Sequence, residues 1–389
     1  MLSKKIKTNN GITLVALVIT IIILLILATI SIQSLTNTGL FKKANEAKEK
    51  TQNAAENQAK ILNEYEDELN KYISGNVEKT FKGKTVTDAI QYADVLNKND
   101  NTELQDAYGN KIVVPAGFKI VSNDDTSKAT TVDKGIVIED ATSAATAGSQ
   151  FVWIPVGKIY TDTAKTEAKA KTIELNRYTF DENGISTAQN ENIVESKFQE
   201  LETSNKGNIV AKSIPNFKNS VTINGGYYIG RYEARKNISG TITEVGTDTV
   251  WNSITQPNAA IQAQNMYNST KFTSDLMNSY AWDTATLFLQ TCGTNPTYSR
   301  KNSVNTGSMA QTGTNNQSTK DIQCNVYDMA SNVYEWTTET SIDSDSPCVG
   351  RGGAYDYSYN YTSSRNNGSV SDSYGNVGFR PLLFVGLNS

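Results

Sequence analysis

Seventeen of the twenty-two residues from Tyr355 to Asn376 are tyrosine, serine, asparagine or aspartate, and five are tyrosine. Those types at that density suit contact, not catalysis. A tyrosine ring offers a broad amphipathic surface with little rotamer entropy to lose, while serine, asparagine and glycine make hydrogen bonds that adapt to many shapes. The candidate ligand contacts are therefore Tyr355, Asp356, Tyr357, Tyr359, Asn360, Tyr361, Asn366, Asn367, Asp372, Tyr374 and Asn376. A polar loop of low complexity would share much of this composition. The chain has no histidine among its 389 residues. That excludes a Ser-His-Asp triad, a Cys-His dyad and an HExxH zinc site. A formal net charge of −4 leaves no basic footprint for nucleic acid.

Apolar runs must hold that segment in place. Strand patterns fall at Lys111 to Val114, Phe118 to Val121, Gly135 to Ile138, Gln150 to Val156 and Gly226 to Glu233. Helical patterns fall near Thr87 to Leu96, from Ile261 to Met266 and onward, and around Ser279 to Gln290. Val377 to Val385 reads as one terminal strand pairing back toward the start of the domain. Thr161 to Lys212 is polar and reads as a long excursion between core strands, and a Gly/Ser/Thr/Asn-rich loop covers about Thr291 to Thr319. Trp153, Trp336 and Phe379 are expected in the core. Of the three cysteines, Cys324 and Cys348 flank one short segment. A bridge there would contribute roughly 3.5 kcal/mol in the chain-entropy view, and three buried thiols are the alternative.

The amino terminus has its own logic. Residues 12 to 32 carry no charge, long enough as a helix to cross a bilayer core. Lys4, Lys5 and Lys7 precede the run and would hold the leader in the cytoplasm. A signal peptide cut near Ala28-Thr29-Ile30 and a plain single-span anchor are both open to this pattern. A kink is expected at Asn37-Thr38-Gly39, followed by a mixed-charge helical arm that ends at Ser74-Gly75-Asn76. Its apolar stripe is Ile61, Leu62, Tyr65, Leu69, Tyr72 and Ile73.

A Lys-rich leader ending in Gly11, directly before Ile12-Thr13-Leu14-Val15, resembles the type IV prepilin signal. The resemblance implies cleavage between Gly11 and Ile12 by a prepilin peptidase, and a place beside pilus or pseudopilus subunits. Such proteins usually carry a glutamate at the fifth mature position, where this chain has Ala16. That favours a minor or membrane-held subunit over a major one.

Five strings follow in order: Phe151 to Pro155, Tyr228 to Glu233, Tyr327 to Trp336, Arg351-Gly352-Gly353 and Val377 to Arg380. Together they resemble the formylglycine-generating-enzyme (sulfatase-modifying factor) family, a version of the C-type lectin fold. The expected class is thus α+β: a long N-terminal transmembrane, pilin-like α-helix followed by an irregular C-type-lectin-type domain. The expected limits are a leader over 1–11, the membrane and extended helix over 12–75, a connection over 76–107 and the lectin-type domain over 108–389.

The family's enzymes use two cysteines shortly after the RGG string, and here Tyr357 and Thr362 stand at those places. The resemblance therefore implies no enzyme. It is also similar to the variable proteins of diversity-generating retroelements, in which mutated adenines yield Asn, Tyr, Ser and Asp near the carboxyl end. The fold often binds calcium, for which Asp343, Asp345 and Glu335 are candidates, although a solvated acidic loop accounts for them and no metal is assigned. The expectation is a single-pass membrane protein that presents a domain outside the cytoplasm to a protein or glycan ligand. The alternative is a purely structural minor pilin or pseudopilin.

Overall fold

The computed structural model describes residues 14–37, 48, 50–51, 84–92, 97–121, 129–142, 145–189, 197–200, 211–237, 241–242, 250–310 and 321–386. The chain divides into two units, Met1–Glu78 and Lys79–Ser389. In the first, helix α1 runs Leu14–Asn37, an uncharged stretch that is mostly apolar up to Ile32 and turns polar in its last turn. Its side chains are described for residues 17–29. Among the described residues no helix is long and apolar enough to cross a membrane. Gly11, Ile12 and the leader lie outside the described residues, as does most of the expected arm.

The second unit is mixed α+β, with mostly antiparallel sheets. Its six-stranded sheet uses β1 (Phe118–Ile120), β2 (Val137–Asp140), β3 (Gln150–Pro155), β5 (Gly226–Gly230), β6 (Phe272–Leu276) and β11 (Pro381–Val385). They lie in the order β6-β11-β5-β3-β2-β1, each antiparallel to its neighbours. Period-two alternation puts Phe151, Trp153, Tyr228 and Leu383 on one face, and Val152, Ile154, Tyr227, Ile229, Leu382 and Phe384 on the other. Both faces are buried, so these strands read as apolar runs without polar alternation.

Two sets of elements cover them. Helices α3 (Ile214–Asn224) and α5 (Ser279–Cys292) pack on the face of Tyr227, through Phe217, Val221, Trp282 and Phe288. On the other face sit α2 (Val86–Tyr92) and the hairpin of Thr102–Gln105 with Lys111–Val114. Val86, Ala89 and Leu104, from the region expected as a connection, are buried in that core. Side-chain caps start the helices: Ser213 accepts from Asn216 N, and Asn278 from Ala281 N. Trp153 dictates one glycine, because a Cβ at Gly226 would sit 2.5 Å from its ring.

A second sheet carries the region of interest. Strand β7 (Tyr334–Ser341) pairs antiparallel with β4 (Phe198–Glu200) and β8 (Cys348–Arg351), and β8 pairs with β9 (Arg365–Gly368). Strand β10 (Val377–Phe379) lies parallel to β7. Helix α4 (Gln256–Met266) contributes Ala259, Ala260 and Ala263 to the core around Trp336 and Phe379.

Three expectations are corrected. Val377 to Val385 is not one strand and does not pair with the domain's first strands. It breaks at the fully buried Arg380, just before Pro381, which has no N–H to donate, so β10 joins the second sheet and β11 the first. Thr161 to Lys212 is not merely an excursion: Lys171–Ile173 pairs with Gly157–Ile159, Arg177–Phe180 pairs with Ser186–Gln189, and β4 joins β7. Arg177, Tyr178 and Phe198 are buried there, which a polar composition conceals.

The third correction concerns the cysteines. Cys324 and Cys348 form no bridge, and all three cysteines are thiols. Cys324 packs on the core beneath the first sheet, with its Sγ 3.7 Å from the Asp133 carbonyl. Cys348 lies in the core around Trp336, with its Sγ 4.0 Å from Gln256 Oε1.

Candidate ligand-binding face

Both ends of the Tyr355–Asn376 segment are anchored by buried arginines. At the near end, Arg351 donates from Nε to the Ser364 carbonyl at 2.9 Å, from Nη1 to Glu339 at 3.2 Å and from Nη2 to Asp283 at 2.6 Å. Arg365, inside the segment, turns inward to the same two carboxylates, and Arg177 also donates to Glu339. Burial alone would raise the Glu339 carboxyl, but Arg365, Arg351 and Arg177 hold it down at about 2. The cluster therefore stays ionised and clamps α5, β7, β8 and β9 together.

At the far end, Arg380 grips Glu335 with two bonds, of 3.0 and 2.6 Å, and donates to the carbonyls of Gly230 and Tyr327 at 2.8 and 2.7 Å. Arg351 and Arg380 thus belong to the scaffold.

The middle of the segment is held by its backbone. Residues 302–310 form a strap alongside it, and Asn302 bridges to Tyr361. Ser303 N donates to the Asn360 carbonyl at 2.8 Å, Thr306 N to that of Tyr355 at 2.8 Å, and Ser303 Oγ to that of Tyr357. On the other side Ser253 N donates to the Tyr374 carbonyl at 3.2 Å, Asn252 Nδ2 to that of Gly375 and Tyr334 N to that of Asn376. Every one of these bonds ends on a main-chain oxygen, which any residue type provides. Gly353 admits the strap, since a Cβ there would meet Ser303 Cβ at 2.4 Å and the Ala330 carbonyl at 2.6 Å. Asn332, at φ +68°, accepts from Ala310 N and gives its carbonyl to Tyr355 N.

The predicted contacts divide by exposure. Tyr359 is 74% exposed, Tyr374 60% and Tyr357 47%. Tyr357 and Tyr359 meet edge to face, with ring centroids 5.7 Å apart. Asp356 is exposed and accepts twice from Asn376 Nδ2, at 3.0 and 3.1 Å, which closes the two ends of the segment on each other. Tyr355 is half-buried. Asn360 donates to Tyr334 Oη at 2.6 Å, and Tyr361 lies beneath the Arg300 guanidinium at 3.9 Å. Asp372 accepts from Ser369 N and Oγ and from Tyr374 Oη. Asn366 and Asn367 stand apart on β9, where Asn367 bonds Lys197 and Asp343. No described contact joins them to the tyrosines.

Residues outside the segment also frame the face: Trp251 and Asn252, Arg300, Tyr334 and the strap. The strap lies in the Gly/Ser/Thr/Asn-rich loop, whose composition resembles the segment's own and was a usable signal. Trp251 and Arg300 carried none.

The positions aligned with the missing thiols are put to other uses. Tyr357 faces outward, while Thr362 is buried, donating to the Tyr298 carbonyl and accepting from Trp282 Nε1 through its own carbonyl. Burial pushes the thiols of Cys292 and Cys348 up to about 12 and that of Cys324 higher still, so none supplies a thiolate near neutral pH. The calcium candidates do not assemble either. Glu335 is buried against Arg380, and Asp343 accepts from Asp345 N in a turn. Among the described residues no group of three or more metal-ligating side chains comes together.

No family model matches the chain, and no curated protein matches it. Among solved structures it has distant similarity to two variants of the major tropism determinant. The M1 variant is 13% identical with a TM-score of 0.30, over 80% of this chain and all of that one. The I1 variant is 14% identical with a TM-score of 0.29, over 79% of this chain and all of that one.

Proposed function

We propose that this chain is a non-enzymatic binding protein, anchored in the membrane by its N-terminal segment and displaying the Tyr355–Asn376 face outside the cytoplasm. One observation carries the reading: three tyrosines point outward from a segment held through main-chain carbonyls. Such a support tolerates changes of side chain and keeps the contacts on a rigid base, which lowers the ordering cost of binding. The same property suits a segment diversified through a retroelement, and the Tyr/Asn/Ser/Asp composition supports that reading. A near-copy of the codons for residues 351–380, differing at adenines and lying beside a reverse-transcriptase gene, is the genomic signature it requires.

The leader, the apolar run and the mature start at Ile12 belong to the same proposal, with prepilin peptidase as the processing partner. N-terminal sequencing of membrane-extracted protein should begin at Ile12; a start after residue 28 would replace that part with ordinary signal-peptidase processing. Binding is tested by replacing Tyr357, Tyr359 and Tyr374 together with serine in the full chain. The triple variant should melt within a few degrees of the parent and lose capture of peptides selected on the parent. Retained capture would remove the face from the proposal.

A further inference from the structure

Three charged side chains lie between Tyr355 and Asn376, and the fold treats them unequally. Arg365 is turned inward to Asp283 and Glu339. Asp356 is exposed and Asp372 half-buried, and their hydrogen bonds come from neutral donors: the Asn376 amide for one, Ser369 and the Tyr374 hydroxyl for the other. Among the described residues neither forms an ion pair. Within the segment, folding has thus turned the only positive charge inward and left the Asp356 carboxylate exposed beside Tyr357 in the chain.

The same surface shows what those rings accept. Arg300 lies over Tyr361 at 3.9 Å from the ring centre, and at the rim Lys236 lies over Trp251 at 5.0 Å. The aromatic groups that have an intramolecular partner of this kind have a cation on the ring face. Tyr357 and Tyr359 present an edge-to-face pair outward, with the Asp356 carboxylate next in the chain. A ring face attracts a cation through its quadrupole, and a neighbouring carboxylate adds a charge-assisted hydrogen bond. Arginine and lysine side chains satisfy both. A neutral sugar meets only the stacking half of the site, and at this corner the Asp356 carboxylate opposes an acidic group.

From this we infer that the Tyr357–Tyr359–Asp356 corner recognises a lysine or arginine side chain borne by a partner protein. The inference rests on the binding-face reading above and names its ligand class.

The test uses the full chain in detergent micelles, panned against a random dodecapeptide library displayed on phage, with the triple tyrosine-to-serine variant as counter-selection. Recovered peptides should be enriched in Lys and Arg over the starting library, and their binding should weaken as salt is raised. Asp356→Asn, whose amide oxygen can still accept from Asn376, should weaken them about three- to thirtyfold while the melting temperature stays within a few degrees of the parent. Replacing the peptides' basic residues with norleucine or citrulline should do the same. Enriched peptides that are neutral or acidic, yet still require the tyrosines, would overturn the basic-ligand inference and leave the binding face standing. Peptides that bind parent and triple variant alike would overturn both. Basic peptides indifferent to Asp356→Asn and to salt would overturn the role of the carboxylate, and with it this inference.

Discussion

The tyrosines of β5 and those of the Tyr355–Asn376 segment are the same side chain put to opposite uses. Tyr227 and Tyr228 are fully buried, and each hydroxyl donates to a main-chain carbonyl, that of Ala281 at 2.6 Å and of Val113 at 2.8 Å. Burial raises both phenols well above their ordinary value, so they act as neutral rings with a satisfied donor. Tyr357, Tyr359 and Tyr374 instead stand on a backbone that is fixed while their rings face solvent. Where the backbone is held independently of the side chain, side-chain identity is released from folding. In β5 ring and backbone are held together, so neither can change alone.

Breaking the clamp beneath the segment should have the largest effect. Arg351→Ala leaves Asp283 and Glu339 buried with one guanidinium fewer, and should cost about 3–5 kcal/mol in chemical denaturation. A loss within experimental error would mean that Arg177 and Arg365 suffice to hold the carboxylates. Gly353→Ala comes next. Its new Cβ collides with the strap, and forced overpacking of this kind costs about 1–3 kcal/mol. It should also weaken peptide capture by moving the carbonyl supports, which a purely local loss of stability would not do.

The hydroxyls sharpen the comparison itself. Tyr227→Phe removes a buried bond and should cost about 1 kcal/mol. Tyr359→Phe should stay within about 0.5 kcal/mol. Equal effects in a melting scan would dissolve the distinction between the two sets.

A pH experiment probes the edge where β4 meets β7. Burial lifts the Glu200 carboxyl to about 7, against hydrogen bonds from Thr338 and Ser279 that pull it down. The folded chain then holds this proton more tightly than the unfolded chain does. Its contribution to stability is full below about 4.5 and is lost as pH rises through about 7. Glu200→Gln should flatten the decline in stability across that window, by an amount of up to about 3 kcal/mol. An unchanged slope would show that another group carries it.

Much of the scaffold was legible because it depends on local pattern. The apolar runs at Gln150 to Pro155 and Gly226 to Gly230 form strands because buried alternation on two faces requires continuous apolar residues. The helical patterns at Ile261 to Met266 and around Ser279 to Gln290 fall in α4 and α5, whereas α3 was not read from the sequence. Trp153, Trp336 and Phe379 are buried as their size and setting implied. Composition singled out the tyrosine-rich segment, but not which of its five rings are exposed: Tyr355 and Tyr361 are half-buried.

Other features could not be read from neighbours along the chain. Arg177 sits in a polar stretch, and nothing near it announces that Glu339 will neutralise it. The break at Arg380 depends on Glu335, Gly230 and Tyr327, three groups on three elements. The pairing suggested for Cys324 and Cys348 failed for the same reason: proximity in sequence gave no information about which core each thiol would enter.

Residue type and spacing alone establish an apolar run over residues 12–32 preceded by three lysines, a chain without histidine chemistry, and a tyrosine-rich segment over residues 355–376. Which rings face outward, that a strap from residues 302–310 holds the carbonyls of Tyr355, Tyr357 and Asn360, and that Arg365 leaves the surface while Asp356 stays on it follow from the assembled fold. The physical reason is the range of the interactions. Helix caps and strand alternation act within a few residues, whereas a buried charge is placed by whichever opposite charges the whole structure brings within reach.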